Sequence, residues 1–307
     1  MATAREIKRR IRAVKNIAQV TRALQLVASS KMRRTQERML AARPYADELR
    51  RVLNKLARAS AGGDDESNAW GGEESSDADL SLLEERPVRT LGIVLVTPDR
   101  GLAGALSSNL TRRALQFVQE QRADRSNANL PVQFLAVGRR GRDFIVRNRL
   151  PLLAEFVNLG DIPHAGDVRA IARVISDAYL SGDVDAWYLI YPRFVSSLVQ
   201  TPTPIQLLPV QPPEAGEEEE DQHIDYIFEP DAGTIYANLL PRYLETMIYQ
   251  PLLETVASFY AAQFVAMKNA TDNASDLADD LNLTYNKARQ AAITTQILEV
   301  VAGAGAL

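Results

Sequence analysis

The chain begins and ends on helical periodicity and changes period between. From residue 3 to about 58, apolar or small side chains recur at Ile7, Ile11, Val14, Ala18, Thr21, Leu24, Ala28, Met32 and Met39. Steps of three and four place them on one stripe of an α-helix. Thr3 with Glu6 three residues on matches a capping box, which satisfies two of the N–H groups a helix start leaves unpaired. Pro44 permits a bend without requiring one. About 55 residues at 1.5 Å each predict a rod of roughly 80 Å. A globular helix usually runs to about 8–20 residues, so a rod this long needs a partner helix, a surrounding protein, or both.

The far end has the same character. From about 232 to 302 the pattern is helical, with Pro241 and Pro251 expected to kink its start. The stripe runs through Leu252, Val256, Phe259, Met267, Ala270, Ala274, Leu277, Leu281, Ala288, Ala292 and Val300, and the helix is expected to stop at Gly303. Its many alanines let another helix approach closely. The simplest packing sets the two end helices against each other, antiparallel and supercoiled.

Between them the period shortens. LGIVLVTP is a continuous apolar run bounded by proline, as expected of a buried parallel strand. A helix follows at about 103–123, then a strand in VQFLAVG, a short helix at 139–148, a strand in PLLAEFVNL and an amphipathic helix in VRAIARVISDAYL. AWYLIYPRF is a fourth strand. VQTPTPIQLLPV carries Pro202, Pro204 and Pro209 and so belongs at a sheet edge, and HIDYIFEP reads as a last strand. Alternating strands and helices predict a Rossmann-like α/β domain. The expected organisation is an N-terminal coiled-coil helix over 1–59 and an acidic connector over 60–87. An α/β domain over 88–230 with an acidic loop at 211–223 follows, then a C-terminal coiled-coil helix over 231–307.

Charge sharpens this division. The net charge is only -4, yet residues 1–58 hold sixteen Lys and Arg against four acids. Residues 61–85 and 212–231 hold nine acids each and no Lys or Arg. The basic helix has no aromatic residue before Tyr45, and its basic residues lie on several faces. Acidic protein loops therefore fit it better than nucleic acid does. Trp70, in the acidic connector, reads as incidental rather than as a docking residue.

The chemistry expected of an enzyme is missing from the pattern. No cysteine is present, which excludes disulfides and thiolate metal sites. His164 and His223, the only two histidines, sit in no catalytic context. TPDRGLAG, after the first strand, lacks the lysine of a phosphate loop and the spacing of a dinucleotide loop, and reads as a structural turn. Asp99 and Arg100 within it read as an ion pair or as surface contacts. The acids Glu217–Asp221 lack the alternation and the glycine of a calcium loop. No cofactor is implied. No run of 18 apolar residues occurs, so no membrane-spanning segment is expected.

Three stretches, in order, carry a family resemblance: IKRRIRAVKNIAQVTRALQLVASSKMRRTQ followed by ARPYA, then TPDRGLAGALSSN, then VAMKNATDNA with LTYNKARQAAIT. Together they resemble the gamma subunits of F-type ATP synthases, over nearly the whole chain. The resemblance implies a non-catalytic central rotor shaft. Its coiled coil would run inside a ring of alpha and beta subunits, and its α/β domain would meet the epsilon subunit and the ring of c subunits. Ion flow would turn the shaft, and ATP chemistry would belong to beta. By the same resemblance Arg289, Gln290 and Thr294 would contact beta, Arg9, Arg10 and Lys15 would face the ring interior, and Arg22 and Leu24 would pass acidic beta loops. No extended transit segment precedes the helix, so a bacterial chain is expected, peripheral to the cell membrane on its cytoplasmic side. The chain departs from the family pattern at Phe259 and Gln263, where a carboxylate and a guanidinium are usual. A diverged paralogue acting as a coiled-coil scaffold is the alternative, with an enzyme built on the central domain less favoured.

Overall fold

The computed structural model describes residues 4–61, 81–125, 129–211 and 232–304. Its elements run in the order α1 (Ala4–Ala61), β1 (Leu91–Val96), α2 (Leu106–Asp124), β2 (Val132–Val137) and α3 (Arg139–Arg147). Then come β3 (Leu152–Phe156), α4 (Ala165–Leu180), β4 (Ala186–Phe194), β5 (Gln200–Leu208) and α5 (Ala232–Ala304). A single 3₁₀ turn at Ser81–Leu83, unforeseen in the sequence, precedes β1. Thr3, Trp70, the acids Glu217–Asp221, His223 and the HIDYIFEP strand lie outside the described residues.

The chain divides into two compact units: Met1–Lys31 with Gln263–Leu307, and Met32–Ala262. Both end helices contribute to each unit.

The larger unit is built on a five-stranded sheet in the order β3-β2-β1-β4-β5. β1 pairs parallel with β2 and β4, β2 pairs parallel with β3, and β5 runs antiparallel to β4. β5 is at the edge, where Pro202 and Pro204 cost no interior ladder bonds. β1 is buried along its whole length, as a central parallel strand with both faces covered must be. Val94 and Val96 join a core with Leu53 and Leu56 of α1, Ile171 and Ile175 of α4, and Leu240 and Leu244 of α5. Gly92 shares that face, two residues before Val94, and only glycine fits there because the Trp187 ring fills the place of a Cβ, which would meet it at 2.4 Å.

Within this unit α1 and α5 run antiparallel. Met39 packs with Leu253 and Ala257, whereas Arg50, further along α1, acts electrostatically on Tyr243, earlier in α5.

In the smaller unit the two helices meet along a seam. Ile7, Ile11 and Ala28 of α1 are buried, with Val14, Ala18, Thr21 and Gln25 half-buried between them. On α5, Met267, Ala274 and Ala278 are buried, with Thr271, Leu281, Tyr285 and Ala288 half-buried. On both helices the steps alternate four and three. That 3.5-residue period is the one that winds helices into a left-handed coiled coil. Thr21 and Thr271 join hydroxyls across the seam at 2.7 Å.

The expected stripe on α5 needs correction in three places. Leu277 is 49% exposed, and Ala278 takes the seam position because the heptad steps four residues on from Ala274. Ala292 and Val300 are exposed as well. The helix also continues through Gly303 to Ala304.

Candidate functional site

Two regions answer to a mechanical role, one in each unit. In the larger unit, α5 is fastened to the sheet by side chains one turn apart. Glu254, only 6% exposed, accepts the backbone N–H of Phe194 at 3.0 Å. Ser258, fully buried, donates to the Pro192 carbonyl at 2.9 Å. Tyr260 donates its hydroxyl to Asp161 Oδ1. β4 therefore presents backbone groups near its end that the helix satisfies in place of water, which a buried strand terminus requires.

The electrostatics at this junction follow from burial. Desolvation raises the Glu254 carboxyl above its ordinary value, against the Phe194 hydrogen bond and the charges of Arg43 on α1 and Arg193 on β4. Tyr191 is pushed up to about 12, first by burial and then by Glu254. The carboxyl thus stands among groups from α1, β4 and α5.

In the smaller unit the functional candidate is the end of α5. From Arg289 to Val301 every described side chain is exposed. Ile293, Ile297, Leu298, Val300 and Val301 are among them, the last four each more than half exposed. Exposed apolar side chains gathered on one helix end make this end the candidate for a contact surface. Sequence reading assigned Val300 to a buried stripe and passed over the others. A heptad cannot tell a position that has a partner helix from one that lacks it.

The proposed contact residues are placed as follows. Arg9, Arg10, Lys15 and Arg22 are exposed on α1, and Leu24 is half-buried beside the seam. Arg289, Gln290 and Thr294 are exposed on α5, where Thr294 donates its hydroxyl to the Gln290 carbonyl at 3.0 Å. No hydrogen bond or ion pair between described residues joins the α1 set to the α5 set. Among the described residues Asp99 and Arg100 form no ion pair with each other. Asp99 Oδ1 accepts the Arg139 backbone N–H at 2.9 Å and so tethers the start of α3. The turn holding it is tight, with Leu102 and Gly104 both at positive φ. His164 is exposed at the start of α4. Among the described residues no group of three His, Asp or Glu could hold a metal ion. No described helix is long and apolar enough to cross a membrane.

A family model described as ATP synthase matches residues 3–307. The chain is 44% identical to the ATP synthase gamma chain of Roseiflexus castenholzii, covering all of this chain and 99% of the relative. It is also 44% identical to that of Dehalococcoides mccartyi strain CBDB1, with both chains fully covered. The chain belongs to the ATP synthase gamma-chain family. Among solved structures, a chain of the Euglena gracilis mitochondrial ATP synthase (OSCP/F1/c-ring, rotational state 3) matches with TM-score 0.65 and 17% identity. It covers 99% of this chain and 94% of the solved one, a likeness of fold. A gamma chain is a non-catalytic subunit, the central rotor shaft of the ATP synthase complex. The catalytic sites are on the beta subunits, and the gamma chain is part of a membrane-bound complex, in which it is peripheral to the membrane.

Proposed function

We propose that this chain transmits torque through the exposed end of α5, which seats in a sleeve formed by alpha and beta subunits. The observation that carries the reading is the run from Arg289 to Val301, where every described side chain is open to solvent although the helix is apolar there. In this reading Arg289, Gln290 and Thr294 meet loops of beta, while Arg9, Arg10, Lys15 and Arg22 offer positive charge to acidic loops beside Leu24. The larger unit meets the epsilon subunit and the c-subunit ring, and ion flow through that ring drives the rotation. The bacterial relatives support a place on the cytoplasmic face of a bacterial cell membrane. They also weigh against a free-standing scaffold, since 44% identity holds along the entire chain.

Purifying the tagged full-length chain from its cell and identifying what travels with it tests this directly. Alpha and beta subunits are expected in fixed ratio; their absence overturns the proposal. Arg289→Ala is expected to lower coupled ATP synthesis in inverted membrane vesicles several-fold with an unchanged melting temperature. Wild-type coupling in that variant would reduce Arg289 to a spacer.

A further inference from the structure

The sheet ends against a cavity for which the shaft role has no use. Its volume is about 240 Å³, and residues following β1, β2 and β3 line it together with one face of α5. This is the crevice beyond the carboxyl ends of the strands in which open α/β sheets hold ligands. Val96, Val137 and Leu159 from the sheet side and Leu252, Val256 and Phe259 from α5 supply an apolar interior. Arg100, Arg139, Asp99, Asp161 and Asn158 supply polar groups at its wall.

The charges there are not balanced in use. Both acids are engaged: Asp99 Oδ1 accepts the Arg139 backbone N–H, and Asp161 Oδ1 accepts the Tyr260 hydroxyl. Neither guanidinium has a carboxylate partner among the described residues. Arg139 donates through Nη2 to the neutral Asn158 side chain at 2.7 Å. The N-terminal amides of α3 are already taken by Asp99, the Pro98 carbonyl and Thr97 Oγ1. An incoming anion would therefore be met by the guanidinium groups and not by the helix end. Planar guanidinium groups suit a carboxylate, which they engage through paired N–H donors.

Size narrows the ligand further. Sites for drug-sized molecules span about 300–1,000 Å³, so this cavity takes something smaller, and its interior favours a flat apolar body. We propose that the cavity binds a small aromatic carboxylate, its ring against Val256 and Phe259 and its carboxylate held by Arg100 and Arg139. Such a ligand touches the ends of β1 and β2 and the face of α5 together, and adds to the docking of helix on sheet within the larger unit.

The test uses the full-length chain and 4-(trifluoromethyl)benzoate followed by ¹⁹F NMR, with 4-(trifluoromethyl)benzamide as the neutral control. The benzoate is expected to bind saturably in the micromolar to low millimolar range, with the benzamide weaker by about tenfold or more, the worth of a charge-assisted pair. Val256→Phe fills the interior and is expected to abolish binding. Arg100→Gln with Arg139→Gln is expected to bring the benzoate down to the level of the amide. The comparison of the two probes on the unaltered chain needs no variant to fold. No saturable binding, equal binding of both probes, or binding that survives Val256→Phe in a folded chain each overturns the proposal. None of these results bears on whether the chain associates with alpha and beta.

Discussion

Glu254 is a buried carboxylate that ties α5 to β4 in the larger unit. Its carboxyl is buried on α5 and spends its hydrogen-bonding capacity on the Phe194 backbone N–H. Burial raises its pKa despite Arg43 and Arg193. The folded state therefore holds this proton more tightly than the unfolded chain does. The stability this group contributes is fully present below its ordinary carboxyl value and is lost as pH rises through the raised one. Glu254→Gln keeps an acceptor for Phe194 without the buried charge, and is expected to flatten that slope in urea unfolding measured across pH. An unchanged slope would show that another group titrates there. Glu254→Ala leaves the Phe194 N–H without an acceptor and is expected to cost about 1–3 kcal/mol. None of this was legible beforehand. The partners lie sixty residues apart, and a glutamate on a long helix reads as a surface charge until the fold buries it.

At the scale of elements, the seam of the smaller unit turns on small residues. Ala274 and Ala278 are buried where α5 faces α1, and Leu277 beside them is half exposed. Ala274→Leu is expected to force the helices apart and lower stability by about 1–3 kcal/mol. Leu277→Ala should stay within about 0.5 kcal/mol of the unaltered chain. Thermal unfolding followed by circular dichroism distinguishes them, and a larger loss at Leu277 would place the seam one residue earlier. The sequence predicted both helices and most of the stripe, since steps of three and four are written in the order of residues. It erred at Leu277 because a leucine outranks an alanine in any hydrophobic pattern, while a close helix seam selects for small size. Among the described residues the sheet was legible too: LGIVLVTP as a buried strand, three further strands alternating with helices, and β5 placed at an edge by its prolines. Trp187 filling the space above Gly92 was not. Strand register, which the residue order does not state, brings them together.

For the whole molecule, the test of a shaft is whether its exposed end matters to function without mattering to folding. Ile297 and Val301 lie four residues apart on one face of α5, both more than half exposed. Replacing both with serine removes apolar surface that the isolated chain leaves in water. The melting temperature is expected to hold while coupled ATP synthesis in vesicles falls several-fold. A drop in stability of the isolated chain would mean that these side chains pack within it. The long helices, the alternation of strands and helices between them and the family were all readable from residue order. Periodicity, composition and motif are local properties, and helix and strand formation answer to them first. Which heptad positions find a partner, which carboxylate is buried and which loops close around a cavity belong to the folded chain alone. Each of these depends on residues brought together from distant parts of the sequence, and burial, unlike propensity, exists only once they have met.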